Sequence, residues 1–221
     1  MTQVVIIGAG GHGREVAEIL GHQAQAGADV QVVGFIDENQ SLHGHTVDGL
    51  PVLGDWAWFD GVDHTAVAVI CAIGLPQVGR RLIQKAKARG LSFVNAISPL
   101  AHVSPAATLG CGIAVFPQVV ISTGVLIDSY CILNTSVTVS HGARVRRYGN
   151  INPGVHLAGD VSIGEGCYIG MGTNIVQGRS VGPWTVIGAG AAVVHDLPAN
   201  VTAVGVPARV IKIREEGWHE R

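Results

Sequence analysis

The chain has 221 residues, 48% of them hydrophobic and only 14% charged, with a formal net charge of −2. Such a length buries a core in one or two domains, and the composition excludes a disordered chain. The near-neutral balance argues against nucleic acid or an anionic membrane as the main partner.

The apolar opening Val4–Ile7 stops at Gly8 without a basic region before it, and no apolar run approaches the roughly 18 residues of a membrane span. Neither a signal peptide nor a transmembrane helix is therefore expected. Cys71, Cys111, Cys131 and Cys167 share no CxxC spacing, which favours a reducing, cytoplasmic setting.

Gln3–Ile7 reads as a buried strand, and Gly8-Ala9-Gly10-Gly11-His12-Gly13 as the turn that follows it. A helix comes next, with Val16, Ala17, Ile19 and Leu20 on its apolar face. Gln31–Ile36 is a second strand, ending at Asp37-Glu38. Residues 39–54, interrupted by Gly44, Gly49, Pro51 and Gly54, read as loop and short irregular structure. Thr65–Ile73 is a third strand, Gly79–Arg89 a helix closed by Gly90, and Ser92–Ile97 a fourth strand. This alternation predicts a small Rossmann-like parallel sheet over residues 1–97. Ser98-Pro99 marks its end, because proline restricts the residue before it.

Gly8, Gly10 and Gly13 satisfy G-x-G-x-x-G between a strand and a helix. Free backbone N–H groups there suit a phosphate, and Asp37 at the end of the next strand suits a ribose hydroxyl. Three readings remain open: a nicotinamide cofactor, the nucleotide phosphate of some other ligand, or a tight turn with no ligand. The segment is too short for two mononucleotide halves, which counts against the first.

From Val103 to Val193 every sixth residue is Val, Ile or Leu, with no break in register. Helices repeat near 3.6 residues and strands near 2, so a period of six points to a parallel β-helix over residues 98–221. Each hexad is a short strand and a corner, and three hexads close one triangular coil. Residues 18 apart therefore stack at about one strand spacing, 4.8 Å. The three cysteines inside the repeat read as small buried thiols. After Val193, Leu197-Pro198-Ala199-Asn200 breaks the pattern, Val201–Ile213 reads as a capping strand or two, and Glu215–Arg221 as a frayed tail.

His43, His45, His64 and His219 fall in loops or the tail and read as solvated. His141 differs, since it lies two residues past the inward Val139, near a corner, with Gly159 stacked above it and Thr123 below. A histidine beside a glycine N–H pairs a base with an oxyanion donor, which acyl transfer requires. A satisfied structural histidine is the competing reading. A zinc site using His141, His156 and His195 is disfavoured, because no two of them are close in sequence.

Ile6-Ile7-Gly8-Ala9-Gly10-Gly11-His12-Gly13, Phe35-Ile36-Asp37 and Ala72-Ile73-Gly74 resemble the start of the NeuD/PglD family of sugar acyltransferases. Ile132-Leu133-Asn134-Thr135, His141, Pro153-Gly154, Ala158-Gly159 and Gly205-Val206-Pro207-Ala208 extend the likeness over essentially the whole chain. The resemblance implies a left-handed β-helix, a homotrimer with grooves between subunits, acetyl-CoA as co-substrate and no metal. It implies a nucleotide-linked 4-amino sugar as acceptor of N-acetylation, with O-acetylation of a sialic-acid-type hydroxyl as the alternative and a non-catalytic module of the same fold as a third reading. By the same resemblance Gly10, Gly11, His12, Asp37 and Glu38 would hold the nucleotide sugar, and His141 would be the base. Gly159 would offer its N–H to the thioester carbonyl, and Asn134, Asn150, Met171 and Ala189 would line the acetyl-CoA site. Relatives commonly carry an acidic residue directly after the base and often a second histidine at position 150. This chain has Gly142 and Asn150 there.

Overall fold

The computed structural model describes residues 1–220, so Arg221 of the expected tail lies outside the described residues. They fall into two compact units, one comprising Met1–Gly74 with Val78–Pro99, the other Leu75–Gln77 with Leu100 onward. No helix among the described residues is long and apolar enough to cross a membrane.

In the first unit, β1 (Thr2–Ile7), β2 (Val30–Ile36), β3 (Thr46–Val47), β4 (Leu50–Gly54), β5 (Val67–Cys71) and β6 (Ser92–Phe93) form a sheet in the order β3-β4-β2-β1-β5-β6. β1 pairs in parallel with both β2 and β5, and its residues Val4 to Ile6 are fully buried, as a central strand covered on both faces requires. The helices are α1 (Gly11–Gln25), which buries Val16, Ile19 and Leu20, and α2 (Pro76–Ala88), which buries Leu82, Ile83 and Ala86.

Two expectations are corrected here. Residues 39–54 are not simply loop: β4 pairs in parallel with β2 and antiparallel with β3. Pro51 and the flanking glycines hide a strand that needs only a few ladder bonds, and Val52 supplies its buried side chain. The expected fourth strand is broken, because only Ser92–Phe93 pairs with β5, whereas Ala96–Ile97 packs against α1 and the Ile97 N–H donates to Gln23 Oε1 at 3.0 Å.

The second unit is a left-handed parallel β-helix. Two-residue strands recur every six residues and stack at a constant offset of 18 on three faces, for example Ala114↔Ile132↔Asn150↔Tyr168↔Val186. From Val115 to Val193 every sixth aliphatic is 0–2% exposed, while Val103 and Leu109 in the first coil are half-buried. Each of these side chains contributes about 1.5–3 kcal/mol by leaving water.

A second interior column, two residues before most of these, escaped the sequence reading. It holds Val119, Val125, Cys131, Val137, Ala143, Val155, Val161, Cys167, Thr173, Thr185 and Ala191, all at most 1% exposed. Its polar members are satisfied: Cys131 donates to Arg146 O (3.1 Å), Cys167 to Gly182 O (3.1 Å), Thr173 to Gly170 O (2.6 Å) and Thr185 to Pro198 O (2.7 Å). Burial pushes the Cys131 and Cys167 thiols up to about 12, so they stay protonated and inert. Cys111 is exposed, contrary to expectation, because it sits on a corner.

The prism ends in an antiparallel hairpin, Val201–Val204 with Arg209–Ile213, and the first of these strands continues one prism face. The residues after it are docked rather than frayed: His219 stacks on Trp184 with ring centroids 3.7 Å apart, and the Arg214 guanidinium lies 4.1 Å over the Trp218 ring. His64 is likewise no solvated histidine, since its two ring nitrogens meet Arg89 O and Phe59 O, each at 2.8 Å. Only tertiary contacts distinguish such positions from solvated loops.

Candidate active site

The glycine loop uses its glycines for different reasons. Gly8 has φ +106, a conformation that side chains rarely adopt. Gly13 is a packing position: a methyl built on it would stand 3.0 Å from Gly8 C, with the carbonyl oxygen nearer still. Gly10 and Gly11 face open space. Gly10 precedes α1, and no side chain caps the helix. The first N–H groups of α1 thus have no intrahelical acceptor and point where an anion would be held.

A methyl at Gly13 meets backbone that cannot swing aside. Gly13→Ala is expected to lower stability by about 1–3 kcal/mol, read as a drop in Tm by circular dichroism, whereas Gly11→Ala at the open helix start should be neutral or slightly stabilising.

His12 lies on this first turn, with Glu15 Oε2 3.6 Å from its Nδ1. Burial holds its pKa below the usual imidazole range, and Glu15 opposes the shift. His12, Gly11, Arg14, Glu15 and Asp48 line one open cleft, where Arg14 grips Asp48 at 2.6 and 2.9 Å.

A second cavity, of about 140 Å³, opens at the carboxyl ends of β1 and β2 and is lined by Gly8, Asp37, Glu38, Asp55, Trp56 and Leu82, among others. Asp37 also ties the loop together: Oδ2 accepts the Ala9 N–H (2.9 Å) and Oδ1 the Asn39 N–H (2.8 Å). Glu38 accepts the Trp56 Nε1–H at 3.3 Å and has Lys85 3.4 Å away. An aromatic wall and carboxylates beside a helix start are groups that could receive a nucleoside.

On the prism, His141 and Gly159 are in contact. A methyl built on Gly159 would stand 2.7 Å from His141 Nε2 and 3.1 Å from Nδ1, with Cε1 nearer still. The imidazole therefore lies across the Cα of Gly159. The corner is fixed by backbone bonds, Asp160 N–H to His141 O (2.9 Å) and Gly178 N–H to Gly159 O (2.9 Å). The Gly159 N–H has no acceptor among the described residues. The equivalent N–H groups of Thr123, His141 and Gln177 are also outside the ladder, so the repeat itself turns this amide out. At Gly159 a histidine ring also covers the adjoining carbon.

The remaining expected residues lie on other parts of the prism. Asn134 and Asn150 are bonded to one another (Nδ2 to Oδ1, 3.1 Å) and are buried, at 9% and 4% exposure. Met171 and Ala189 stack 18 apart on the corner that follows the strand Tyr168–Ile169, and Met171 is 59% exposed. His141 and Gly159 lie on the next corner round. No group of three or more His, Cys, Asp or Glu among the described residues is placed to hold a metal, and His156 Nδ1 is instead 2.8 Å from Thr138 Oγ1.

Two features escaped the sequence reading. Val176 and Val194, 43% and 36% exposed, continue the column of Ala158 up the prism beside Gly159. The position after an inward aliphatic is otherwise mostly small or polar, and these two valines break that rule. Asp160 is the other: a methyl on Gly142 would stand 3.3 Å from its Cγ, with Oδ1 nearer.

An α/β unit followed by a left-handed hexapeptide β-helix is, by the comparisons that follow, the architecture of sugar acetyltransferases. The PglD N-terminal domain profile matches residues 3–86. PerB from Caulobacter crescentus, solved with CoA and GDP-perosamine, is 36% identical, with 96% of this chain and 98% of that one covered and a TM-score of 0.88. The acetyltransferase domain of PglB from Neisseria gonorrhoeae is 32% identical over 96% and 100%, with a TM-score of 0.88. WeeI from Acinetobacter baumannii is 26% identical over 96% and 100%, with a TM-score of 0.86. No curated protein sequence matches significantly. The chain belongs to the NeuD/PglD-type family of sugar acetyltransferases.

Proposed function

We propose that the protein N-acetylates the amino group of a nucleotide-linked 4-amino sugar, with acetyl-CoA as donor. The observation that carries this reading is the imidazole of His141 lying over Gly159, next to an amide that has no acceptor among the described residues. Two relatives support the substrate class: PerB was solved with CoA and GDP-perosamine, and the PglB acetyltransferase domain with acetyl coenzyme A.

The thioester supplies an activated acetyl group. His141 accepts the proton of the attacking amine as the C–N bond forms and the C–S bond breaks, then returns it to the departing thiolate. The Gly159 N–H meets the carbonyl oxygen as charge develops there. Ala158, Val176 and Val194 offer an apolar strip for the pantetheine arm leading away from that amide. Met171 and Ala189 stand on a different corner, and a groove between two copies of the chain could be lined by both corners. A homotrimer closes three such grooves. Gly10, Gly11, His12, Asp37 and Glu38 hold the nucleotide, with the diphosphate at the start of α1.

A thiol-release assay with GDP-linked and UDP-linked 4-amino sugars and with sialic acid tests the reading. Turnover of a nucleotide-linked amine is expected, with at least tenfold lower kcat/KM for the hydroxyl acceptor. Preference for the hydroxyl acceptor, or no acetyl-CoA binding by calorimetry, overturns it.

A further inference from the structure

The cavity at the carboxyl ends of β1 and β2 is walled by aliphatic side chains such as Ile36 and Leu82 and by the indole of Trp56. At about 140 Å³ it has room for one flat ring system and little more. Apart from Trp56, the polar side chains on its wall are all carboxylates: Asp37, Glu38 and Asp55. Two of them are committed to the backbone. Asp37 accepts the N–H groups of Ala9 and Asn39 (2.9 and 2.8 Å), and Asp55 caps the 3₁₀ turn Trp56–Gly61 by accepting the Ala57 N–H (2.8 Å).

Glu38 is held only loosely. Its Oε1 meets the Trp56 Nε1–H at 3.3 Å and the Lys85 ammonium at 3.4 Å. Its Oε2 has no partner nearer than Arg81, at 3.9 Å, among the described residues. Charge-assisted bonds usually close to about 2.7–2.9 Å, so both oxygens keep capacity for shorter ones. The side chain is 53% exposed, and a ligand can reach it. Trp56 is by contrast buried and fixed, with Phe59 at 6.0 Å between ring centroids and Lys85 and Arg89 over the ring at 4.8 and 5.6 Å. The slot therefore suits a flat ring whose edge offers donors to a carboxylate with a cation next to it.

The nucleobases differ in that edge. Guanine presents two adjacent donors, N1–H and N2–H, with the O6 acceptor beside them. Uracil has one N–H between two carbonyls, so the second carboxylate oxygen would face a carbonyl oxygen. Adenine and cytosine each set one amino group beside a ring-nitrogen acceptor. A carboxylate accepts only and an ammonium donates only, which matches the guanine edge alone in full. We propose that Glu38 selects guanine, its two oxygens accepting N1–H and N2–H while the Lys85 ammonium donates to O6. The proposal rests on the nucleotide-sugar reading and names the nucleotide as guanosine diphosphate. A site built to bond an N–H rejects the analogue that lacks it, because its own polar group is then left unpaired.

Calorimetry of the full chain with GDP, ADP and UDP tests this. GDP is expected to bind at least about tenfold tighter than either of the others. Glu38→Gln keeps an acceptor for the Trp56 N–H and should melt with the parent, but it sets a donor against one of guanine's two. It is expected to weaken GDP about tenfold and to leave UDP within about twofold. In turnover the change should appear in KM for a GDP-linked amino sugar, not in kcat or in KM for acetyl-CoA. UDP or ADP binding as tightly as GDP, or an equal loss of GDP and UDP in Glu38→Gln, overturns the proposal. A parent that acetylates UDP-linked amino sugars in preference also overturns it and leaves N-acetylation standing. If none of the three nucleotides binds while acetyl-CoA does, the nucleotide placement itself is wrong and selection by Glu38 falls with it.

Discussion

Replacing His141 by alanine is expected to lower kcat by about 10²–10⁴, the usual worth of a positioned general base, with little change in KM or Tm. The structural reason for expecting a purely kinetic loss is that the corner is built by backbone. Gly142 N–H to Thr123 O (3.3 Å) and Asp160 N–H to His141 O (2.9 Å) survive the substitution. The imidazole is exposed and makes no side-chain hydrogen bond among the described residues, so its removal leaves no buried polar group unsatisfied. Steady-state thiol release, together with a thermal melt, checks the result. Turnover within a few-fold of the parent at unchanged Tm would remove His141 from the reaction and return it to a surface role.

The prism was legible because its interior dictates residue type at every sixth position. Val115 to Val193 cannot be polar without burying an unpaired group, so the period survives in the sequence. The column two residues earlier was not legible, because its narrower space accepts Val, Ala, Cys or Thr alike, provided that a carbonyl such as Gly182 O receives the polar ones. β4 was hidden because Gly49, Pro51 and Gly54 carry the loop composition of its ends, while its pairing with β2 depends on a distant strand. The docked tail was invisible for a similar reason: the stack of His219 on Trp184 joins residues that no local pattern connects.

At the candidate site the same ruler worked and was read from His141 only. Counting 18 upward from His141 reaches Gly159, and the structure places the ring there. Counting 18 upward from Gly142 reaches Asp160, so the carboxylate was available to the same arithmetic. The bond between Asn134 and Asn150 was not legible, because position in a motif does not report that two amides are buried against each other.

Gly159→Ala is expected to be nearly as damaging to turnover as loss of the base, at about 10²-fold, although it deletes no functional group. The amide N–H remains, and Gly159 does not hold a left-handed φ, so alanine is not strained by the backbone. The added methyl instead collides with the imidazole, at 2.7 Å from Nε2 and nearer to Cε1. Of the two partners the exposed ring yields, because the coil is held above and below by ladder bonds. It swings off the corner and away from the carbonyl that the amide would bind. A double-mutant cycle separates this steric account from direct damage to the oxyanion donor. In an His141→Ala background the methyl has no ring to meet, so Gly159→Ala should cause no further loss of kcat. If the double variant instead falls another hundredfold below His141→Ala, the methyl is acting on the amide or the acyl group itself. The contact between ring and glycine would then be incidental to the reaction.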